Sequence, residues 1–194
     1  MITLILGGAR SGKSRYAEAL ASQANRKVVF LATGHACDEE MRAKIDRHRR
    51  ERPSEWRTVE TPLDLDAAIV SHGTHDAFLI VDCLTTLSSN LLLAEAATQN
   101  DWVLACVERI CEALADTPAS VAVVSNEVGN GVVPEYQMGR AFRDLLGEFN
   151  QKVARIADNV ILMVAGCPLA LKGKIQVQAE ELHGGVTHVT SVPR

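Results

Sequence analysis

Gly7-Gly8-Ala9-Arg10-Ser11-Gly12-Lys13-Ser14 is the stretch that decides the fold. Its spacing is G-x-x-x-x-G-K-[ST], with an apolar run before it and Arg15-Tyr16-Ala17-Glu18-Ala19-Leu20 opening a helical pattern after it. Glycines let successive backbone N–H groups turn inward without a Cβ clash, and a helix N-terminus adds its partial positive charge. In such a loop Lys13 reaches the β- and γ-phosphates of a nucleotide, and the Ser14 hydroxyl sits on Mg²⁺. A glycine-rich strand-to-helix turn with an incidental Lys-Ser is the plainer alternative. The strand on one side and the helix on the other argue against it.

Outward from this loop, short β-rich runs alternate with helical patterns, which predicts a mostly parallel α/β sheet with helices on both faces. Strands are expected at Ile2–Leu6, Lys27–Ala32, Ala77–Val81, Ser120–Ser125 and Asn159–Val164, with a shorter one around Trp56–Val59. Most are near-continuous apolar runs, as strands covered on both faces should be. Helices are expected over 13–24, 36–50, 64–70, 85–96, 101–115 and 136–157. In the last, Met138, Phe142, Leu145, Phe149, Val153 and Ile156 recur at spacings of three and four. A single domain is expected over 1–172. The tail 173–194 is polar and reads as an edge strand or an extension.

Two further strand ends carry polar groups. Phe78-Leu79-Ile80-Val81-Asp82 is an apolar strand ending in an acid, at the edge where open α/β sheets place their ligands. Asp82 is thus a candidate metal-side carboxylate beside Ser14. It is equally able to cap the helix that Cys83-Leu84-Thr85-Thr86 begins. Ser125-Asn126-Glu127-Val128-Gly129-Asn130-Gly131 leaves another strand, either toward a γ-phosphate or acceptor substrate or as ordinary turn chemistry.

The bulk properties narrow the class. The 194 residues are 47% hydrophobic and 23% charged, with a net charge of −4, so no global charge points to nucleic acid or an anionic membrane. The run at Met1-Ile2-Thr3-Leu4-Ile5-Leu6 lacks a basic flank and reads as a first strand rather than a signal peptide. No stretch approaches the roughly 18 apolar residues of a membrane span. Five cysteines form no CxxC pair, so free, mostly buried thiols in a reducing cytoplasm are expected.

Asp38-Glu39-Glu40-Met41-Arg42-Ala43-Lys44-Ile45-Asp46-Arg47-His48-Arg49-Arg50-Glu51-Arg52 begins acidic and ends basic, in the sense that complements a helix dipole. Met41, Ile45 and His48 share one face of such a helix. Neighbouring arginines disfavour the imidazolium, and a neutral imidazole is the nucleophilic form. From spacing alone, a hydrogen-bonded histidine on a packed face is the commoner reading.

Taken together, these motifs resemble those of a known family. The loop Gly7–Ser14, Ala32-Thr33, Asp38-Glu39-Glu40-Met41, His48, Arg52-Pro53, Trp56-Arg57-Thr58, Asp82-Cys83-Leu84-Thr85 and Asn126-Glu127-Val128-Gly129-x-Gly131-x-Val133-Pro134 follow in the order seen there. Phe142-Arg143-Asp144, Asn150-Gln151 and Gly166-Cys167-Pro168-Leu169 continue the match to about Lys172. The family is the bifunctional adenosylcobinamide kinase/adenosylcobinamide-phosphate guanylyltransferase of cobalamin biosynthesis. The resemblance implies phosphorylation of the aminopropanol hydroxyl of adenosylcobinamide by ATP or GTP, with Mg²⁺. It also implies GMP transfer from GTP to the resulting phosphate through a covalent histidine–GMP intermediate, with His48 in the matching place. Nucleotide contacts would fall on Gly7, Gly8, Ala9, Arg10, Ser11, Gly12, Lys13, Ser14, Ala32, Thr33, Gly34, Arg49, Arg50, Glu51, Arg52, Glu60 and Asp82. A cytoplasmic homotrimer is implied as well. Two rivals stand beside this reading: a monofunctional small-molecule kinase with a structural His48, and a nucleotide-sensing module acting on a partner protein.

Overall fold

The computed structural model describes residues 1–34, 53–95 and 102–182. The helix expected over 36–50, with His48 and Arg49 to Arg52, lies outside the described residues. Seven described strands form one sheet: β1 (Ile2–Gly7), β2 (Lys27–Ala32), β3 (Arg57–Glu60), β4 (Ala77–Asp82), β5 (Ser120–Val124), β6 (Asn159–Val164) and β7 (Cys167–Lys172). Their order is β3-β2-β4-β5-β1-β6-β7. Every neighbouring pair is parallel except β6–β7, which is an antiparallel hairpin.

Alternating side chains explain the layers. Along β4, Ala77, Leu79 and Val81 enter one core while Phe78 and Ile80 enter the other. The larger core lies under α2 (Leu65–His72), α3 (Leu84–Glu95), α4 (Trp102–Asp116) and α5 (Gln137–Ile156). The smaller lies under α1 (Lys13–Gln23), which buries Tyr16, Ala17, Leu20 and Ala21. Strands buried on both faces have no polar face to show, which is why their sequences read as continuous apolar runs. No helix among the described residues is long and apolar enough to cross a membrane.

Three departures from the sequence reading have physical causes. The expected apolar stripe of α5 holds for Leu145, Phe149 and Val153, which are buried, but Met138 at its start is exposed. β7 was not foreseen, because it is an edge strand with a mostly exposed pattern and carries Pro168, a residue strands tolerate at edges. The boundary expected at Lys172 does not coincide with the end of packing. Gln176 and Val177 donate their N–H groups to the Tyr16 hydroxyl at 3.1 and 3.3 Å, and Val177 and Leu182 are buried in the smaller core. A one-turn helix, α6 (Ala179–Leu182), closes this described part of the tail.

Candidate active site

Parallel pairing sends the carboxyl ends of β1 to β6 to one edge of the sheet. That edge therefore collects the loop after β1, the Ala32-Thr33-Gly34 segment, Glu60, Asp82 and Ser125-Asn126-Glu127. The loop starts at Gly7, where φ is +150°, and a Cβ there would lie 2.5 Å from the Met163 carbonyl oxygen and 2.7 Å from the Ser11 hydroxyl. It ends at Gly12, the left-handed N-cap of α1. Neighbouring chain holds it in place. Gly166 donates its N–H to the Ser11 carbonyl at 3.0 Å, and Glu127 donates to the Gly7 carbonyl at 3.3 Å.

Inside the loop, Lys13 is buried and its ammonium donates to the Gly8 carbonyl at 2.5 Å. Burial lowers its pKa, opposed by Cys83 and by the Asp82 carboxylate beside it. The Ser11 hydroxyl is buried and has no hydrogen-bond partner among the described residues. A buried donor left open is costly unless a ligand satisfies it. The Ser14 hydroxyl donates to Asp82 Oδ2 at 3.0 Å, which joins the two sequence motifs across an intervening strand.

Thr33 has a different part. Its side chain is fully buried, donating to the Cys83 carbonyl at 2.7 Å and accepting the Cys83 N–H at 2.8 Å. Its own N–H donates to the Asp82 carbonyl at 3.2 Å, and Asn90 bridges the Thr33 and Pro62 carbonyls at 2.8 and 2.9 Å. The residue thus clamps the end of β2 to the end of β4 and fixes Asp82. Glu60 ends the edge strand β3, with three strands between it and β1. It shares the edge, four strands along the sheet from the phosphate loop.

Further residues emerge only in three dimensions. Thr85 accepts the Asn126 N–H at 2.9 Å. Buried Asn150 receives the Ser125 hydroxyl at 2.6 Å and donates to the Asn126 carbonyl at 3.0 Å. Both lie in motifs noted in the sequence, but nothing local told what they hold. Among the described residues no group of three or more His, Cys, Asp or Glu side chains is arranged to hold a metal. Ser14 and Asp82, which the two sequence motifs offered as metal-side candidates, stand in direct hydrogen-bond contact.

A glycine loop opening a helix, a buried lysine within it and a serine facing a strand-end aspartate define a P-loop nucleotide-binding α/β protein. The RadB recombinase crystal structure has the same fold, with a TM-score of 0.53 at 13% identity, over 92% of this chain and 83% of that one. The chain belongs to the cobinamide kinase / cobinamide phosphate guanyltransferase family, which it matches over residues 3–171. It is 42% identical over 183 residues to the bifunctional adenosylcobalamin biosynthesis protein CobU of Salmonella typhimurium, covering 89% of this chain and all of that one. It is 43% identical over 174 residues to the bifunctional adenosylcobalamin biosynthesis protein CobP of Pseudomonas aeruginosa, covering 90% of this chain and 99% of that one.

Proposed function

We propose that this protein phosphorylates adenosylcobinamide with ATP or GTP and then transfers GMP from GTP to adenosylcobinamide phosphate, releasing pyrophosphate. The observation that carries this reading is the assembled phosphate cradle, Lys13 with Ser14 facing Asp82, in a chain of this family. In both reactions the protein's main task is to stabilise charge moving onto phosphate oxygens, which a buried lysine and a ring of loop amides do without reorganisation.

Mg²⁺ fits the pair that faces the loop. Ser14 and Asp82 would hold the ion through their hard oxygens, which stand 3.0 Å apart. When bound, Mg²⁺ neutralises phosphate charge, while Lys13 and the loop amides orient the phosphates.

His48 is the proposed nucleophile of guanylyl transfer. Its neutral imidazole attacks the α-phosphorus of GTP, forming an N–P bond as the bond to pyrophosphate breaks. An oxygen of adenosylcobinamide phosphate then displaces the imidazole and forms the new anhydride. Arg49, Arg50 and Arg52 hold phosphate oxygens, and Glu51 and Glu60 belong to the nucleotide contacts. The resemblance in the motifs around His48 supports this assignment. A cytoplasmic homotrimer is part of the same proposal, and sedimentation of the purified protein tests the trimer.

A histidine–GMP bond is a phosphoramidate, labile in acid because protonation turns imidazole into a good leaving group. GTP labelled at the α-phosphate, but not at the γ-phosphate, should leave acid-labile label on the protein. His48→Ala should abolish both the label and guanylyl transfer while sparing much of the kinase activity. Label that persists in His48→Ala would assign the bond to another residue. Product formed without label in the wild type would make transfer direct.

A further inference from the structure

Where β5 leaves the sheet, the chain is held by two bonds, from Asn126 to Thr85 on α3 and from Glu127 to Gly7 of the phosphate loop. The segment beyond turns apolar and outward. Val132 is 96% exposed, Tyr136 70%, and Val133 and Met138 are exposed as well. This is not a loose loop. Arg140 donates to the Pro134 and Glu135 carbonyls at 2.9 and 2.6 Å, fastening its far end to the first turn of α5. Gly139 allows the close packing there, since a Cβ would lie 2.8 Å from both the Pro134 Cβ and the Tyr136 ring. Val128, Val132, Pro134, Tyr136, Phe142 and Arg143 line a shallow cavity of about 190 Å³ between loop and helix.

Fixed backbone with solvated apolar side chains marks a binding surface. Its size says which kind. Pockets that enclose a drug-sized ligand run to roughly 300–1,000 Å³, so this one admits an edge or an arm of a ligand rather than the whole. Its position says which ligand. The surface is continuous with the phosphate loop through Glu127, bonded to Gly7, and Val128, which lines the cavity.

Resting on the reading above, we propose that this shelf binds the acceptor. The macrocycle of adenosylcobinamide lies across Val132, Pro134, Tyr136 and Phe142, and an amide arm meets Arg143. The aminopropanol hydroxyl then points at the phosphate loop. A broad macrocycle with apolar faces and an amide rim matches an open apolar shelf with one guanidinium at its border. Nucleotide and acceptor are thereby held on adjoining but separate surfaces.

Val132→Asp and Tyr136→Ala test this in the full-length enzyme, since both side chains are too exposed to carry the fold. Each variant should raise the KM for adenosylcobinamide in the kinase assay by about tenfold or more, leaving the KM for the nucleotide and the sedimentation coefficient unchanged. Tyr136→Phe should retain most of the acceptor affinity. An unchanged acceptor KM in both variants overturns the shelf. A shift in sedimentation with nucleotide and acceptor affected alike also overturns it, and makes this face a contact between copies. A wild-type enzyme that fails to phosphorylate adenosylcobinamide, while binding it more tightly than Val132→Asp in equilibrium dialysis, would overturn the kinase reading and leave the shelf standing.

Discussion

Thr33 carries two buried hydrogen bonds through one hydroxyl, both to the backbone of Cys83, the residue that follows Asp82. Replacing it with valine keeps the shape and removes both bonds. A buried N–H and a buried carbonyl then lose partners, at about 1–3 kcal/mol for each unsatisfied group. For a chain of this size each kcal/mol lowers Tm by about 2–4 °C. Thr33→Val should therefore melt several degrees below the wild type and bind nucleotide more weakly through a displaced Asp82. A melting curve superimposable on the wild type would show that the clamp contributes nothing. Thr33 stands among the expected nucleotide contacts, and its buried side chain also positions Asp82.

At the scale of elements, the tail is where packing and sequence pattern part company. Polar residues dominate after Lys172, yet Val177 and Leu182 are buried against α1 and Tyr16 accepts two tail N–H groups. Burying an aliphatic side chain is worth roughly 1.5–3 kcal/mol, so two of them are a large part of a marginal stability. Deleting Gly173 to Arg194 should lower Tm by on the order of 10 °C or yield insoluble protein. A tail made dispensable by the end of the family motifs near Lys172 would instead leave Tm and both activities intact. β7 was hidden for a related reason: an edge strand need not bury alternate residues, so its periodicity says little.

Among the described residues, six parallel strands bring the phosphate loop, Glu60 and Asp82 to a single edge, which holds one phosphate cradle. If both reactions use that cradle, Lys13→Ala should suppress kinase and guanylyl transfer together, each by roughly 10²–10³. Steady-state assays of the two half-reactions separate the outcomes. One activity surviving at the wild-type rate would require a second nucleotide site.

What the sequence determined by itself was local. The P-loop is contiguous, and β4 and α5 announce themselves by runs and spacings within a few residues. Fold class and the phosphate loop were legible for that reason. Tertiary structure decided which strand ends become neighbours. Only the order β4-β5-β1 sets Ser125-Asn126-Glu127 between Asp82 and the phosphate loop, and only packing joins Tyr16 to Gln176, 160 positions away. It also turned Met138 and Tyr136 outward and Thr33 inward. Those outcomes depend on which distant surfaces compete for each side chain, and no window along the chain contains that competition.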